Sequence, residues 1–279
     1  ISYITFKVLQ ILIETYDGVI KEFKLFETIA FLLFFAPLSA GPIDRSRRFA
    51  EDFNKRITRG DYLELFGSGL KKLMLGLCYK FVVAELLSGW LIAFIGKFDP
   101  LSLLAYIYLY GLNLFFDFAG YSLMAVGLSY MFAIRTPDNF KLPFISIDIK
   151  DFWNRWHITL SHWFRDFVFS RLMMSILRKK LFTSRLTGAS IAMITNMALM
   201  GIWHGVSVSY IMYGIYHGVL IAATEIYQKK SRFHHRYKNT RPYRLLSWFV
   251  TMNAVFLGFF IFSGEFIGLI GAVLGFPIS

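Results

Sequence analysis

The chain has 279 residues, of which 56% are hydrophobic and 19% aromatic, and it carries a formal net charge of +12. Its mean hydropathy of +0.51 excludes an ordinary soluble domain, in which only about 45–50% of residues are apolar. The basic residues fall in a few loops between apolar segments, so the charge indicates membrane topology and not nucleic-acid binding. We therefore predict an all-α, polytopic transmembrane bundle, with short, re-entrant and interfacial helices around a central passage.

Apolar segments of spanning length recur along the chain. Residues 1–19 mix apolar with charged side chains, which suits a helix packed inside a bundle or only partly embedded. Residues 101–134 exceed the usual spanning length, so we expect a tilt, a kink near Gly111 or Gly120, or a division. Residues 263–279 form a glycine-rich apolar tail that suits a re-entrant segment. The predicted spans cover residues 25–43, 70–96, 101–134, 186–203, 210–227 and 245–262.

Two single residues limit the interpretation further. The chain starts at Ile1 without an initiator methionine or a signal-peptide pattern, so we expect a fragment that lacks its N-terminal part. Cys78 is the only cysteine and lies within a predicted span, so we expect a buried small apolar residue, with no disulfide within the chain.

Lysine and arginine are distributed unevenly among the connections. Most lie in three loops, at residues 45–59, 171–185 and 229–244, whereas the connections near Lys97 and Gly205 hold almost none. With the spans counted as above, the three basic loops share one side of the membrane, which the positive-inside rule makes cytoplasmic. Residues 151–171 would then lie on or near the cytoplasmic side, and the sequence around residue 204 would be approached from the outside.

Residues 151–171, DFWNRWHITLSHWFRDFVFSR, combine three tryptophans and two histidines in an otherwise apolar chain. At helical spacing the large apolar residues share one face, and the other face carries polar residues, namely Asn154, His157, Ser161 and Arg165. We interpret the segment as amphipathic, with an ionisable ring on its polar face. The alternative is an interfacial helix whose tryptophans anchor it at headgroup level and whose polar face is merely wet.

His204 is the strongest candidate for proton transfer. Gly201, Trp203 and Gly205 flank it at the junction of a predicted span and a short turn. An imidazole, with an ordinary pKa of about 6.5, can take a proton from a hydroxyl and return it to a leaving group. His204 and His157 approach the bundle from opposite sides, and they would line one passage if both sink inward. The alternative is a hydrogen-bonded structural histidine.

Further polar residues are candidates for lining the same site. Asp117 is an intramembrane carboxylate, which is functional or paired by default, and Asn113 lies one helical turn before it. His217 lies one turn after Tyr213, where packing or a helix–helix hydrogen bond is the simpler interpretation. The candidate site-lining residues are Asn113, Asp117, Asn154, Ser161, Tyr213 and His217.

Several other types of site find no support in the sequence. His157 and His162 are five residues apart and lack a carboxylate that would complete a ligand set, so we predict no metal site. His234 and His235 belong to a basic loop, where we expect them to be solvated. The sequence has no nucleophilic-serine elbow, phosphate loop or dinucleotide fingerprint.

Two motifs, FWNRWH at residues 152–157 and GIWHG at residues 201–205, resemble those of the membrane-bound O-acyltransferase family. The resemblance extends over essentially the whole chain, which would correspond to the C-terminal two thirds of a family member. Asn154 and Leu123 favour the branch that transfers D-alanyl groups over the alginate-type polysaccharide O-acetyltransferases. The other matching stretches are LS (160–161), WFRD (163–166), SYITFK (2–7), GPIDRSRRF (41–49) and FDFAGYS (116–122).

The resemblance implies a function, a donor and an acceptor. Residues 1–279 would form a single membrane-embedded acyltransferase domain in the bacterial cell membrane. The enzyme would move D-alanyl groups from the phosphopantetheine thioester of a small, acidic, cytoplasmic carrier protein towards lipoteichoic acid hydroxyls. No cofactor would be bound tightly, because the carrier supplies the phosphopantetheine arm. An extracytoplasmic or membrane partner would assist delivery to the acceptor.

The resemblance also implies roles for individual residues. His204 would be the general base for the acceptor hydroxyl, and His157 would assist at the cytoplasmic mouth. Residues 164–180 would dock the acidic carrier through an apolar patch and complementary charges, although a basic flank lying on lipid explains the charges equally well. The docking residues would be Val168, Phe169, Arg171, Leu172, Met173, Met174, Arg178 and Lys179.

Two hypotheses from other classes compete with the acyltransferase. In a transporter or channel, the two histidines and Asp117 would form a proton or substrate path. Internal symmetry between two halves of the sequence would favour that hypothesis, and we find none. A scaffold without chemistry would keep its cellular function after His204→Ala.

Overall fold

The computed structural model describes residues 2–38 and 40–275, and every regular element in that part of the chain is helical. The prediction of an all-α fold is therefore confirmed. Two π-helical turns (Tyr79–Ala84 and Arg165–Phe169) and two 3-10 turns (Ile92–Phe94 and Pro143–Ile145) interrupt or join the α-helices. The α-helices are α1 (Ser2–Tyr16), α2 (Leu25–Leu33), α3 (Ser46–Asn54), α4 (Arg59–Cys78), α5 (Glu85–Leu91), α6 (Pro100–Met131), α7 (Ile149–Trp153), α8 (Ile158–Phe164), α9 (Ser170–Arg178), α10 (Arg185–His204), α11 (Val208–Lys230), α12 (Arg232–Tyr237), α13 (Arg241–Ser263) and α14 (Glu265–Leu274).

Among the residues that the structure describes, four helical stretches are long and apolar enough to cross a membrane. One of them combines α4, α5 and the turns around α5 into a single stretch of 36 residues. Helix α11 has 23 residues but is not apolar enough to join the four, because four tyrosines and His217 lower its mean hydropathy. The four stretches are Arg59–Phe94, Pro100–Met131, Arg185–His204 and Arg241–Ser263.

The predicted span at residues 25–43 is wrong. Helix α2 has only nine residues, which is about 14 Å of helix and too short to cross. The helix stops at Leu33, and the chain then turns before and around Pro37. At the other end, the apolar tail forms helix α14, and the part of the predicted re-entrant segment at residues 276–279 lies outside the described residues.

Helix α6 is one continuous helix of 32 residues, so the predicted division of residues 101–134 is wrong. Gly120 instead permits a close approach between α6 and α4. A Cβ at Gly120 would lie 2.8 Å from the carbonyl oxygen of Gly76, and one at Gly127 would lie 2.6 Å from that of Gly69. Small residues at such crossings let helix backbones pack tightly where lipid provides no hydrophobic drive.

The expected burial of Cys78 is also wrong, because its side chain is exposed. On α4, the buried glycines Gly69 and Gly76 lie where the α6 backbone comes closest. Cys78 lies on another part of the helix surface.

The described chain forms two compact units. Unit 1 comprises Ile1–Glu85, Leu114–Lys141 and His157–Trp163, and unit 2 comprises Leu86–Asn113, Leu142–Trp156 and Phe164–Ser279. In unit 1, helices α1, α2 and α3 share a core that contains Ile11, Phe31, Phe49 and Ile134.

Helices α10 and α11 form a tight hairpin in unit 2. A Cβ at Gly201 would lie 2.3 Å from the carbonyl oxygen of Tyr210, and one at Gly214 would lie 2.4 Å from that of Met197. Helix α13 packs on α11, where the Tyr216 hydroxyl donates a hydrogen bond to a backbone carbonyl of α13 at 2.9 Å. This hairpin carries His204 at the end of its first helix.

The predicted amphipathic helix over residues 151–171 is wrong, because the structure breaks it. Helix α7 ends at Trp153, and α8 begins at Ile158. Between them His157 has a φ of 44°, a left-handed conformation that no regular helix contains. The predicted polar face is therefore not continuous: His157 is buried, whereas Asn154 is exposed.

The tryptophans of this segment do not act as interfacial anchors. Trp153, Trp156 and Trp163 are all buried within the protein, with exposed fractions of 7% or less. The alternative of an interfacial helix anchored by tryptophans is therefore wrong. Trp153 and Trp163 are instead buried residues of α7 and α8, and Trp156 is buried in the turn between these helices.

Candidate active site

His204 is the last residue of α10, and the local sequence requires the helix to end there. Gly205 follows it, and a Cβ at this position would lie 2.7 Å from the ring of Tyr210. Ser207 then caps α11, its side chain accepting a hydrogen bond from the backbone of Tyr210 at 3.4 Å. The chain thus reverses within three residues, and the imidazole is placed at a helix end beside the start of the next helix.

Aromatic rings surround the partly buried imidazole of His204. The ring of Trp203 lies 4.6 Å from it between centroids, and that of Phe262 on α13 lies 5.2 Å away at an angle of 89°. Tyr210 and Tyr213 follow at 6.2 and 6.4 Å. No hydrogen bond to the imidazole is found among the described residues, so within that part of the chain its nitrogens remain available to a substrate.

The structure brings two other predicted residues, Tyr213 and His217, into the same aromatic series. The buried ring of Tyr213 lies 5.0 Å from Phe262 and 4.6 Å from His217. His217 is fully buried, and its Nδ1 accepts a hydrogen bond from Nε1 of Trp153 at 3.4 Å. Packing and a helix–helix hydrogen bond, the simpler interpretation of His217, are therefore both observed.

His217 also closes the gap between α11 and α13. Its Nε2 has no hydrogen-bond partner within residues 2–38 and 40–275, and it faces Gly258. A Cβ at Gly258 would lie only 2.3 Å from that nitrogen. The glycine is thus required by the ring, a relationship that the sequence does not reveal.

His157 belongs to unit 1, where its backbone is held by Asn139. The amide of Ile158 donates to the Asn139 carbonyl at 2.9 Å, and the hydroxyl of Thr159 donates to Oδ1 of Asn139 at 2.5 Å. The same hydroxyl accepts a hydrogen bond from the backbone of Ile43 at 2.9 Å. The His157 ring packs edge-on against Phe118 with centroids 4.7 Å apart.

In unit 1, Asp117 forms an ion pair with Lys80. Of the two interpretations of this carboxylate, functional or paired, the structure thus shows the pairing. Ser161 is partly buried on α8 in the same unit. In unit 2, Asn113 is partly buried on α6, while the side chain of Asn154 is exposed where α7 ends. Their roles in a site stay predictions.

The predicted docking residues occupy the π-turn before α9 and the helix itself. Met174 is the most exposed of the apolar ones, at 57%, and Arg178 and Lys179 at the end of α9 are also exposed. The other five are partly buried, namely Val168, Phe169, Arg171, Leu172 and Met173. The helix therefore presents a mixed apolar and basic surface.

Sequence reasoning missed several residues that shape these surroundings. Phe262 and Tyr210 contact His204 from outside the histidine motif, and Asn139 fixes the backbone after His157. None belongs to a recognisable motif. His234 also departs from its expected solvation, since it is partly buried with Nδ1 2.9 Å from the Tyr243 hydroxyl, whereas His235 is exposed as expected.

Comparisons with known proteins match nearly the whole chain. The profile of MBOAT, the membrane-bound O-acyltransferase family, matches residues 5–267. The teichoic acid D-alanyltransferase of Streptococcus thermophilus is 42% identical over 280 residues, which cover 95% of this chain and 68% of the relative. That of Bacillus subtilis is 41% identical, with the same two coverages. The probable alginate O-acetylase AlgI of Pseudomonas syringae is 32% identical, over 100% of this chain and 51% of the relative.

These matches decide between the classes that the sequence left open. The coverage leaves no large part of the chain outside the family profile, and the helices of spanning length agree with a multi-pass membrane protein. The hypotheses of a transporter and of a scaffold find no such support. The chain belongs to the membrane-bound O-acyltransferase family and is an acyltransferase that crosses the membrane several times.

Proposed function

We propose that the chain transfers D-alanyl groups from a carrier-protein thioester to teichoic acid hydroxyls. Its greater identity to the teichoic acid D-alanyltransferases than to the alginate O-acetylases supports this choice. The residues Asn154 and Leu123 favour the same branch. Lipoteichoic acid would be the ultimate acceptor, reached with the help of an extracytoplasmic or membrane partner.

The observation that carries the proposal is the position of the His204 imidazole and its aromatic neighbours. Its imidazole stands at the end of α10 against Trp203 and Phe262, and no described residue hydrogen-bonds to it. Aromatic walls fix the plane of a ring without occupying its nitrogens. Such a ring is free to accept the proton of an incoming hydroxyl, which is the role of a general base.

The reaction needs one proton acceptor and a good leaving group. Nε2 or Nδ1 of His204 takes the proton of the acceptor hydroxyl while the hydroxyl oxygen attacks the carbonyl carbon of the D-alanyl thioester. The tetrahedral intermediate then collapses, the C–S bond breaks, and the thiolate receives the proton back from the imidazolium. The products are an ester and a free thiol, and no strong acid is required because a thiolate leaves readily.

Donor and acceptor would approach from opposite sides. The phosphopantetheine arm of the acidic carrier would enter at the cytoplasmic mouth, where His157 assists, and the acceptor would reach His204 from outside. Helix α9 supports the docking half of this arrangement, because exposed Met174 lies beside the basic residues Arg178 and Lys179. An apolar contact surrounded by positive charge suits a small acidic protein.

Reconstitution of the complete protein with charged carrier in proteoliposomes tests the proposal. His204→Ala should abolish D-alanyl transfer while the melting temperature stays near that of the wild type, and His204→Gln should be equally inactive. His235→Ala is the matched control, since this histidine is exposed on α12, and it should retain full transfer. Transfer at the wild-type rate by folded His204→Ala would reject His204 as the base.

An acetyl-transferring enzyme of the alginate type is the second candidate, favoured by the 32% identity that covers this whole chain. The same proteoliposomes distinguish the two functions when they are supplied with either a D-alanyl or an acetyl thioester. We expect D-alanyl transfer only. Preferential transfer of acetyl groups would assign the chain to the other branch.

A further inference from the structure

A cavity of about 320 Å³ lies in unit 2, away from the aromatic series around His204. Helix α12 covers one side, and the ends of α11 and α13 form the others. We call it the α12 cavity. Its volume is near the lower end of the roughly 300–1,000 Å³ of ligand pockets, so it suits part of a molecule better than a large ligand.

The polar lining of the α12 cavity carries two basic side chains. Lys238 and Arg244 line it, and neither makes a salt bridge with any carboxylate of the described residues. Asp148 is the only acidic side chain in the lining. Its two oxygens are already engaged, one accepting from the α7 backbone at Lys150 and the other from Nε2 of Gln228, each at 2.9 Å. The two cations therefore outnumber the one carboxylate, and the net positive charge of the lining favours an anionic ligand.

A fixed set of hydrogen-bonding groups accompanies these cations. His234 lines the cavity with Nδ1 2.9 Å from the Tyr243 hydroxyl, which in turn donates to the Tyr227 hydroxyl at 3.4 Å. Burial, together with the charges of His235 and Lys238, lowers the pKa of His234. The neutral ring therefore offers hydrogen bonds rather than a further charge, as the polar oxygens of a phosphate or glycerol group require.

Apolar side chains also line the cavity, and two of them belong to a helix of spanning length. Leu246 and Val250 line it from α13 with exposed fractions of 59% and 58%, and Phe233 of α12 is 57% exposed. A small inorganic anion would gain nothing from these side chains. An amphiphile would bury them, with its charged group among the cations and its chain along α13.

We propose that the α12 cavity binds an anionic glycerophospholipid of the surrounding bilayer. The headgroup phosphate contacts Lys238 and Arg244, the glycerol region lies near His234, and one acyl chain follows Leu246 and Val250 along α13. Basic pockets between helices at the membrane surface are a recognised setting for such lipids. The site is independent of acyl transfer, and it would hold α12 against α13 at the bilayer surface.

Lipid titration followed by native mass spectrometry of the delipidated, complete protein tests the proposal. Phosphatidylglycerol should bind at least tenfold more tightly than phosphatidylcholine with the same chains, and the double variant Lys238→Gln/Arg244→Gln should lose about tenfold or more of that affinity. The control Lys230→Gln/Arg232→Gln removes the same charge from exposed positions beside the cavity lining, and it should change the affinity less than twofold. Equal losses in the two double variants would overturn the site.

Two further arms address the acyl chain and the folding of the variants. Val250→Trp enlarges an apolar side chain of the lining without altering charge and should also weaken phosphatidylglycerol binding, whereas unchanged binding would overturn the placement of the chain. Glycerol 3-phosphate, which lacks the chains, should not compete, and competition as strong as that of the lipid would identify a soluble phosphate ligand instead. In the wild type, a photoactivatable phosphatidylglycerol should label peptides within residues 233–250, and labelling only elsewhere would overturn the proposal without any variant.

Discussion

The close approach of Gly258 to His217 predicts that Gly258→Ala destabilises the protein. A Cβ at this position would lie 2.3 Å from Nε2 of His217, well inside van der Waals contact. The ring cannot simply move aside, because it is fully buried and is held by Trp153 through a hydrogen bond at 3.4 Å. Adding a methyl group to a packed core costs about 1–3 kcal/mol, which at about 1.4 kcal/mol per factor of ten corresponds to as much as about a hundredfold in the folding equilibrium.

Gly89→Ala provides the matched control for the same chemical change. Gly89 is exposed on α5, and a Cβ there would meet nothing within 4 Å. Alanine stabilises a helix interior by about 0.5–1 kcal/mol relative to glycine, so this variant should be as stable as the wild type or slightly more so. Melting in detergent, followed by size-exclusion chromatography, compares the two variants, and unfolding in mixed micelles measures their free energies.

A double-mutant cycle then assigns the loss to the His217 ring. In a His217→Ala background the added methyl group has space, so Gly258→Ala should cost at least 1 kcal/mol less there, within the roughly 0.5–3 kcal/mol usual for contacting residues. Equal melting temperatures for Gly258→Ala and Gly89→Ala would refute the reasoning. A cost of Gly258→Ala that is unchanged without the His217 ring would refute it as well.

Three further predictions follow from other parts of the structure. Thr159→Ala removes the hydroxyl that donates to Asn139 and accepts from the buried backbone amide of Ile43, and it should lower the free energy of unfolding by about 1–3 kcal/mol. Thr159→Ser keeps the hydroxyl and should retain most of the wild-type melting temperature, so equal losses in the two variants would contradict this prediction. Burial lowers the pKa of Lys7 to about 8 from 10.5, so the unfolded chain binds more protons between these values and the unfolding free energy should rise with pH from about 8 to about 10.5. Lys7→Met should flatten that rise in pH-dependent unfolding, and an unchanged slope would exclude Lys7 as its source. Met174→Asp should weaken carrier binding at least tenfold in a pull-down titration without lowering the melting temperature, while Met174→Gln has a smaller effect; unchanged affinity for Met174→Asp would leave α9 as a lipid-facing flank.

The sequence itself was sufficient for the properties that depend on local composition. Apolar length predicted helices that correspond to all four candidate spans, because a helix that crosses lipid must satisfy its backbone within a single contiguous stretch. The glycines around His204 predicted a helix end and a turn, and α10 ends at that residue. The motifs at residues 152–157 and 201–205 were enough to indicate the family that the comparisons then established.

The tertiary structure decided where the chain turns within residues 151–171, which the helical periodicity of the sequence did not predict. Helical spacing predicted one continuous face through residue 157, but hydrogen bonds from Ile158 and Thr159 to Asn139, about 20 residues earlier, support a turn instead. Periodicity counts residues along one helix and contains no information about a distant acceptor.

The same reason explains the surroundings of His204 and His217, which both lie beside Tyr213 in unit 2. The sequence pointed to His204 as the base and to His217 as a buried ring, because each residue type and its neighbours are local features. It could not show that Phe262 forms the wall beside His204, or that Gly258 leaves room for His217, because both contacts come from α13, more than 40 residues further along the chain. Local chemistry thus selected the candidate residues, and the packing of separate helices decided which side chains surround them.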